Sequence, residues 1–196
     1  MHEVGQEAGT TFVLGAQILE VIHNAATGDK IEFIETAEQS EGRVSHFVMT
    51  LAPGSDWARA PRHFHPYQVE TFEVVEGELT LYAGKTRHIL RPGDEKIVVD
   101  RFELHGFWNA SDAPTKFVAE IFDPRNIERG IRLTYQLSQE GKVSKRNVPT
   151  NPWVTLLLMH WFDSYFPWIP WRIQQVGFGL GAALARALGY PKEPSG

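Results

Sequence analysis

The fold is decided by the stretch RHFHPYQVETFEVVEG, which occupies residues 62–77 of the 196-residue chain. His63 and His65 stand two residues apart, so on an extended backbone their side chains point to the same face. Glu70 would have the opposite parity on an unbroken strand, but the proline after His65 predicts a break that can return it to their side. His105 follows on a predicted later strand. Three imidazoles and one carboxylate form a donor set that suits Fe(II), Mn(II), Ni(II), Zn(II) or Cu(II).

Around this stretch the chain is rich in short strand-forming runs separated by turn residues. The clearest turn is the Glu-Gly-Glu sequence centred on Gly77, which predicts a β-hairpin. Strands at this spacing, with no helical period between them, indicate a sandwich or a barrel. The predicted strands are 15–23, 30–36, 44–51, 69–76, 79–83, 87–90, 96–99 and 117–122.

Beyond residue 124 the pattern becomes helical. Apolar residues at helical spacing predict a helix through 127–137. Asn151-Pro152 is typical of an N-cap followed by proline at the first helical position, so a helix is expected to continue to about residue 165. Two prolines end it, and a second helix is predicted from Trp171 to Leu188, with Gly189 as its cap.

This predicted helical hairpin is unusually apolar. Between residues 150 and 190 the charged side chains are Asp163, Arg172 and Arg186 alone, and four of the six tryptophans lie there. The apolar runs are too short to span a bilayer, so the helices must bury their surface in another way. Packing on the barrel or in a homodimer interface is favoured, and a peripheral membrane or protein contact is the alternative. Three glycines at 177, 179 and 181 are expected to let two helices approach closely.

The histidine stretch resembles the first motif of the cupin superfamily. His63-x-His65-x4-Glu70-x6-Gly77 matches that motif without a gap, and Gly93-Asp94 followed by His105-x3-Asn109 matches much of the second. The resemblance covers about residues 30–122. It implies a mainly β protein with a cupin (double-stranded β-helix, or jelly-roll) barrel domain at 1–124, followed by a C-terminal α-helical extension at 125–196.

The same resemblance implies roles for the motif residues. His63, His65, Glu70 and His105 would be the metal ligands, Gly77 and Gly93 would form motif turns, and Asn109 would be structural. Two departures are present. The glycine usually found shortly before the first histidine is displaced to Gly54, and the second motif lacks its proline and glycine and is one residue longer.

Further side chains are candidates for the site. Glu103 shares the face of His105 on an extended chain, so it is a candidate general acid or base, although a salt bridge with Arg101 or a lysine is the alternative. Tyr67 is a second candidate for moving a proton. Three aromatic residues either line a substrate pocket or simply fill the core: Phe72, Phe107 and Trp108.

Composition excludes several classes of function. With a net charge of −5 and a pI near 5.9, the chain gives no electrostatic reason to bind nucleic acid. It has no cysteine, which excludes disulfides, thiolate catalysis and zinc sites built on sulfur. The acidic, polar start is unlike a signal peptide, so a cytoplasmic location is expected, with membrane association left open through the hairpin.

Taken together, the residues predict a metal-dependent enzyme that holds one divalent transition metal and acts on a small organic molecule. An open coordination position beside aromatic residues favours a mononuclear oxygenase, with iron as the metal. Two alternatives stay open. One is a redox-neutral isomerase, cyclase or lyase that uses the metal as a Lewis acid. The other is a cupin that binds or senses a small ligand without catalysis.

Overall fold

The computed structural model describes residues 17–55, 62–144 and 146–190. Nine strands precede three helices in these residues, in the predicted order, although the predicted strand ranges number eight and none covers residues 105–108. The strands are β1 (Glu20–His23), β2 (Lys30–Glu35), β3 (Val44–Leu51), β4 (Val69–Glu76), β5 (Leu79–Ala83), β6 (Thr86–Leu90), β7 (Ile97–Val99), β8 (His105–Trp108) and β9 (Thr115–Phe122). The predicted first strand begins at residue 15, and residues 15 and 16 lie outside the described part of the chain.

The strands form two antiparallel sheets. One has six strands in the order β1-β2-β3-β9-β4-β7, and the other has three in the order β6-β5-β8. Alternate side chains of the long central strands enter a shared core, which contains Phe47 and Met49 from β3 and Phe117 and Ala119 from β9. This period of two is what buries one face of each strand and fixes its register.

Three helices follow the sheets: α1 (Ile127–Gln139), α2 (Pro152–Phe162) and α3 (Trp171–Ala187). Helix α1 is shared between two cores. Ile127, Ile131 and Tyr135 pack with the strands, whereas Leu133 and Leu137 pack with α2 and α3. Because residues four apart lie on one face of a helix, the two sets form two separate stripes. The extension is therefore attached to the barrel through α1.

The ends of the hairpin helices are set by local chemistry. The Asn151 side chain accepts a hydrogen bond from the backbone N–H of Trp153 at 2.9 Å, with Pro152 at the first helical position. Helix α2 ends at Asp163, which adopts the left-handed conformation with φ of 47°. A Cβ atom on Gly181 would lie 2.7 Å from the Leu156 side chain, so this glycine permits the close approach of α2 and α3. None of the described helices is both long and apolar enough to cross a membrane.

Candidate metal centre

The structure brings the three motif histidines together. His63 and His105 lie on facing segments, whose backbones exchange two hydrogen bonds, from His63 N–H to His105 O at 3.1 Å and from His105 N–H to His63 O at 2.8 Å. The ring centroids of His63, His65 and His105 are 4.7 to 5.2 Å apart. One nitrogen from each ring lies within 4.8 Å of those of the other two. This spacing is close enough for one ion to bind all three.

Glu70 adds its carboxylate to this cluster. Its two oxygens lie 3.4 Å from His65 Nε2 and 3.2 Å from His105 Nε2. The backbone bends at residues 66 and 67 before β4 begins at Val69. That bend returns Glu70 to the side of the histidines, as the proline predicts.

Backbone carbonyls hold two of the rings in place from behind. His105 Nδ1 lies 3.0 Å from the carbonyl oxygen of Glu103, and His65 Nδ1 lies 3.2 Å from that of Asp163. A carbonyl can only accept, so in the neutral ring Nδ1 carries the proton and Nε2 presents a lone pair to the cluster. A hydrogen bond on the remote nitrogen is the usual way in which a metal-binding histidine is oriented.

The electrostatics of the cluster favour an ionised carboxylate. Burial raises the pKa of Glu70, but the charge of His65 and the hydrogen bond with His105 outweigh it and lower this pKa from 4.5 to about 2. Burial lowers the pKa of His65, and the neighbouring Glu70 charge opposes that shift. Burial also opposes the charge on His105, but its hydrogen bond to Glu70 prevails and raises its pKa. An anionic carboxylate and imidazole nitrogens, which present lone pairs once their protons are displaced, form the donor set that a divalent cation requires, so these residues fit a metal.

The helical extension reaches this site directly. Phe64, between the two motif histidines, exchanges two backbone hydrogen bonds of 3.0 Å with Tyr165. Asp163, whose carbonyl faces His65, forms an ion pair of 2.9 Å with Arg125 Nε through its side chain. No pattern in the sequence signalled that residues of the hairpin would support a ligand.

The two candidate acid–base residues are placed elsewhere. The Glu103 carboxylate accepts a hydrogen bond from the backbone N–H of Asp100 at 3.0 Å, which ties it into the turn before His105. The Tyr67 hydroxyl accepts from Gln175 Nε2 at 2.8 Å, and its ring lies under the Arg125 guanidinium. Their catalytic roles stay predictions, and these contacts do not point to them.

The three candidate pocket aromatics divide between two faces. Phe72 and Phe107 have ring centroids 5.4 Å apart and pack with Phe117 in the barrel core. Trp108 follows Phe107 on β8, so its side chain lies on the opposite face, where it stacks on Tyr82 at 5.4 Å. The structure therefore does not bring Trp108 to the inner face, because side chains alternate along a strand.

The motif residues predicted to be structural lie at turns and caps. Gly77 has φ of 77°, and a Cβ atom there would lie 2.6 Å from the carbonyl oxygen of Pro114. Gly93 has φ of 91° in the turn before β7. The Asn109 amide donates to backbone carbonyls of Ala52 at 3.0 Å and Ala113 at 2.7 Å, which pins the end of β8.

Gln68 is a buried polar residue that sequence reasoning did not single out. It is only 1% exposed, and neither atom of its amide has a hydrogen-bond partner within the described residues. It stands just before β4, two residues ahead of Glu70, so on an extended backbone its side chain shares the face of Glu70. Its position two residues before Glu70 is the signal that could have identified it.

A separate cleft of about 500 Å³ lies between α1 and the start of α2. Its lining includes Leu133, Leu137 and Val154, and none of the clustered histidines. Among the described residues, the cluster of histidines that could hold a metal lies at the barrel site, which is therefore the better candidate for chemistry.

Comparison with known proteins identifies the barrel. The family model described as a cupin domain matches residues 47–121. An oxidoreductase of Arthrobotrys oligospora is 31% identical over 81 residues, which are 41% of this chain and 30% of that protein. Quercetin 2,3-dioxygenase of Bacillus subtilis is 31% identical over 68 residues, or 35% of this chain and 20% of that enzyme. The chain thus spans a third or less of the length of these curated relatives.

Among solved structures, a sugar phosphate isomerase of the cupin superfamily from Silicibacter pomeroyi is 25% identical. Its TM-score is 0.42, and the match covers 53% of this chain and 70% of that one.

Proposed function

We propose that this chain, whose residues 47–121 match the cupin family model, is a metal-dependent enzyme whose barrel holds one divalent transition metal. The ligands in this proposal are the four clustered side chains His63, His65, Glu70 and His105. The observation that carries it is the Glu70 carboxylate facing His65 Nε2 and His105 Nε2 at 3.4 and 3.2 Å, with both rings held from behind by carbonyls.

We propose an oxygenase acting on a small organic molecule, with iron as the metal. Two relatives are named as an oxidoreductase and a quercetin 2,3-dioxygenase, which supports redox chemistry over the redox-neutral alternative. A redox-active metal, when bound, would supply one-electron chemistry and a position for substrate. We further propose that the protein works in the cytoplasm.

The residues of the chain would position the reactants. Phe72 and Phe107 exclude water from the inner side of the barrel, which strengthens polar interactions at the site. Gln68 would orient the substrate, since a buried amide without a partner is costly and a bound polar group would satisfy it. The hydrogen bonds from the Glu103 and Asp163 carbonyls would keep His105 and His65 in their ligand orientation.

The first test is the metal content of untagged protein, purified without chelators and measured by mass spectrometry. About one iron per chain is expected in the wild-type protein. His105→Ala and Glu70→Ala should lose it. The matched controls are His88→Ala on β6 and Glu73→Ala on β4, which replace the same residue types on neighbouring strands outside the cluster. Retention of stoichiometric metal in His105→Ala and Glu70→Ala would contradict the ligand assignment.

The second test separates the classes of chemistry. Oxygen uptake is measured with quercetin and other small phenolic or enolic compounds, and Gln68→Leu should lower the uptake while keeping the metal. Turnover that continues without oxygen, or a resident zinc, nickel or manganese, would favour redox-neutral chemistry. A protein with no metal and no turnover would leave a barrel that only binds ligands.

A further inference from the structure

Helix α3 has one buried face and one face that is exposed to solvent. Its inner face is buried against α2 and the barrel and includes Gln174, Ala182 and Ala185. The opposite face lies in solvent although its large side chains are apolar. They are 44 to 68% exposed and comprise Ile173, Val176, Leu180, Leu184 and Leu188, which we call the outer face of α3. Because they recur every three or four residues, they form one continuous stripe.

The stripe continues into the turn between α2 and α3. There Trp168 is 65% exposed and Ile169 is 45% exposed. The two arginines of α3, Arg172 near its start and Arg186 near its end, lie on the same flank of the helix. The outer face itself therefore carries no charge. This part of the surface is therefore a single apolar strip bordered by positive charge on one side.

The exposed apolar area of the strip indicates that it is a binding surface. Exposed apolar patches on monomeric proteins usually cover a few hundred Å². A stable dimer buries about 800 Å² on each partner, which is roughly the surface that these seven residues expose together. We propose that the outer face of α3 is the interface of a homodimer, in which it packs on the same face of a second copy.

The chemistry of the strip favours a second copy over a lipid surface. In a two-fold interface each patch meets itself, so a patch that carries like charges would repel its copy. The outer face has no charge, and its arginines would lie at the rim, a position where arginine is common in interfaces. Anionic membranes are usually recognised by clusters of four to eight basic residues. The described residues 164–190 contain two arginines and no lysine.

A dimer of this kind would also support the metal centre. The inner side of α3 holds the hairpin against the ligand segment, since Gln175 Nε2 donates to the Tyr67 hydroxyl and Phe178 stacks on Tyr165 at 6.0 Å. Covering the outer face would restrict α3 and with it the strand-like pair between Tyr165 and Phe64. The proposal does not depend on the identity of the metal or of the reaction.

Sedimentation velocity of the full chain from 1 to 50 µM tests the proposal. The wild-type protein should sediment as a dimer with twice the 22.2 kDa chain mass. Val176→Glu combined with Leu180→Glu should raise the dissociation constant at least about 100-fold, because charge would be buried without a partner. Val98→Glu is the matched control, since Val98 is 55% exposed on β7, away from α3. It should leave the dimer intact.

Cross-linking gives a result that does not depend on the folding of the glutamate variants. The chain has no cysteine, so Val176→Cys, Leu180→Cys and Leu184→Cys each introduce a single thiol. At least one of the three should form a disulfide-linked dimer under mild oxidation, and Val98→Cys should not.

Three outcomes would overturn the proposal. The first is a wild-type protein that stays monomeric at 50 µM. The second is a dimer that survives the double glutamate variant or cross-links only through Val98→Cys. The third is a monomer that sediments with vesicles of anionic phospholipid and loses this binding in the double variant, which would assign the outer face to a membrane.

Discussion

His65 and His105 are both oriented by a backbone carbonyl, but the two carbonyls come from different regions of the chain. The partner of His105 Nδ1 is the carbonyl of Glu103, two residues earlier in the same turn. The partner of His65 Nδ1 is the carbonyl of Asp163, 98 residues later at the end of α2. One ligand is therefore supported locally and the other by the helical extension. The extension therefore contributes to the candidate metal centre, although it lies outside residues 47–121, which match the cupin family model.

The two regions also differ in how their surfaces are used. The barrel buries its apolar side chains in one core, whereas the extension buries one face of α3 and leaves the other in solvent. His65, one of the four proposed ligands, contacts a carbonyl of the extension, so its orientation should depend on whether the extension stays docked, and this dependence can be measured.

Removing the chain from Pro149 onward is expected to have the largest effect. It would expose Leu133 and Leu137 of α1, which pack on α2 and α3, and it would remove the carbonyl that faces His65. We expect aggregation, or a soluble remnant with weakened metal binding, in size-exclusion chromatography combined with metal analysis. A truncated protein with unchanged solubility, assembly state and metal content would show that the barrel site is independent of the extension.

Acid unfolding of the metal-free protein should reveal the Glu70 cluster. A carboxyl with a folded pKa of about 2 against an ordinary value of 4.5 stabilises the folded state above pH 4.5. That stability is lost as the pH falls from 4.5 towards 2, and it amounts to about 3 kcal/mol. Glu70→Gln should lack this part of the pH dependence in denaturant titrations, and Glu73→Gln should retain it. Identical pH profiles for the wild-type protein and Glu70→Gln would mean that the cluster contributes no such stability.

Two helical glycines test the packing of the extension. A Cβ atom on Gly181 would lie 2.7 and 2.9 Å from two Leu156 side-chain atoms, whereas one on Gly179 would meet nothing within 4 Å. Gly181→Ala should lower the free energy of unfolding by roughly 1–2 kcal/mol through overpacking. Gly179→Ala should raise it by up to about 1 kcal/mol through helix propensity. Equal effects of the two substitutions in thermal unfolding would argue against the close approach of α2 and α3.

Asp163→Ala should produce the smallest effect, and it tests the link between the two regions. The substitution removes the ion pair with Arg125 and the side chain that suits the left-handed conformation, so the carbonyl facing His65 should lose its fixed position. We expect about a 10-fold loss of metal affinity in a competition titration, typical of a lost supporting contact.

Tyr165→Phe is the control for Asp163→Ala. It removes the tyrosine hydroxyl, with its 3.3 Å hydrogen bond to the Asp163 side chain and its hydrogen bond with Gln175, and leaves the backbone pair with Phe64 in place. Metal affinity should therefore stay near the wild-type value. A loss as large as that of Asp163→Ala would place the link in the tyrosine hydroxyl instead of the carbonyl.

Much of the barrel could be predicted because its signals are local. Strand alternation, the Glu-Gly-Glu turn and the spacing of the ligands each depend on a few neighbouring residues, and they predicted the cupin barrel that the family match confirms. The start of α2 and the end of α3 were predictable for the same reason, whereas α2 ends at Phe162, three residues before the predicted end. Asn151-Pro152 caps the first, and Gly189, with φ of 82°, follows the second.

Other features could not be predicted because several arrangements satisfy the same local pattern. Helix α2 is apolar around its circumference, so its sequence does not say which face meets the barrel. The face of the sheet on which the Glu70 side chain lies depends on the geometry of the bend at residues 66 and 67. Trp108 and Phe107 look equally suited to a pocket, and only the register of β8 against β5 separates them.

The sequence by itself indicated the candidate metal ligands, a resemblance to the cupin barrel, and two apolar helices after the barrel. Only the tertiary structure decided that the end of α2 faces His65, that Gln68 is buried with no hydrogen-bond partner among the described residues, and that one apolar face of α3 stays in solvent. The physical reason is the distance along the sequence between the residues that interact. Turns, caps and strand parity are set by interactions among neighbouring residues, whereas a contact between residues 65 and 163 exists only once the barrel and the helices have packed.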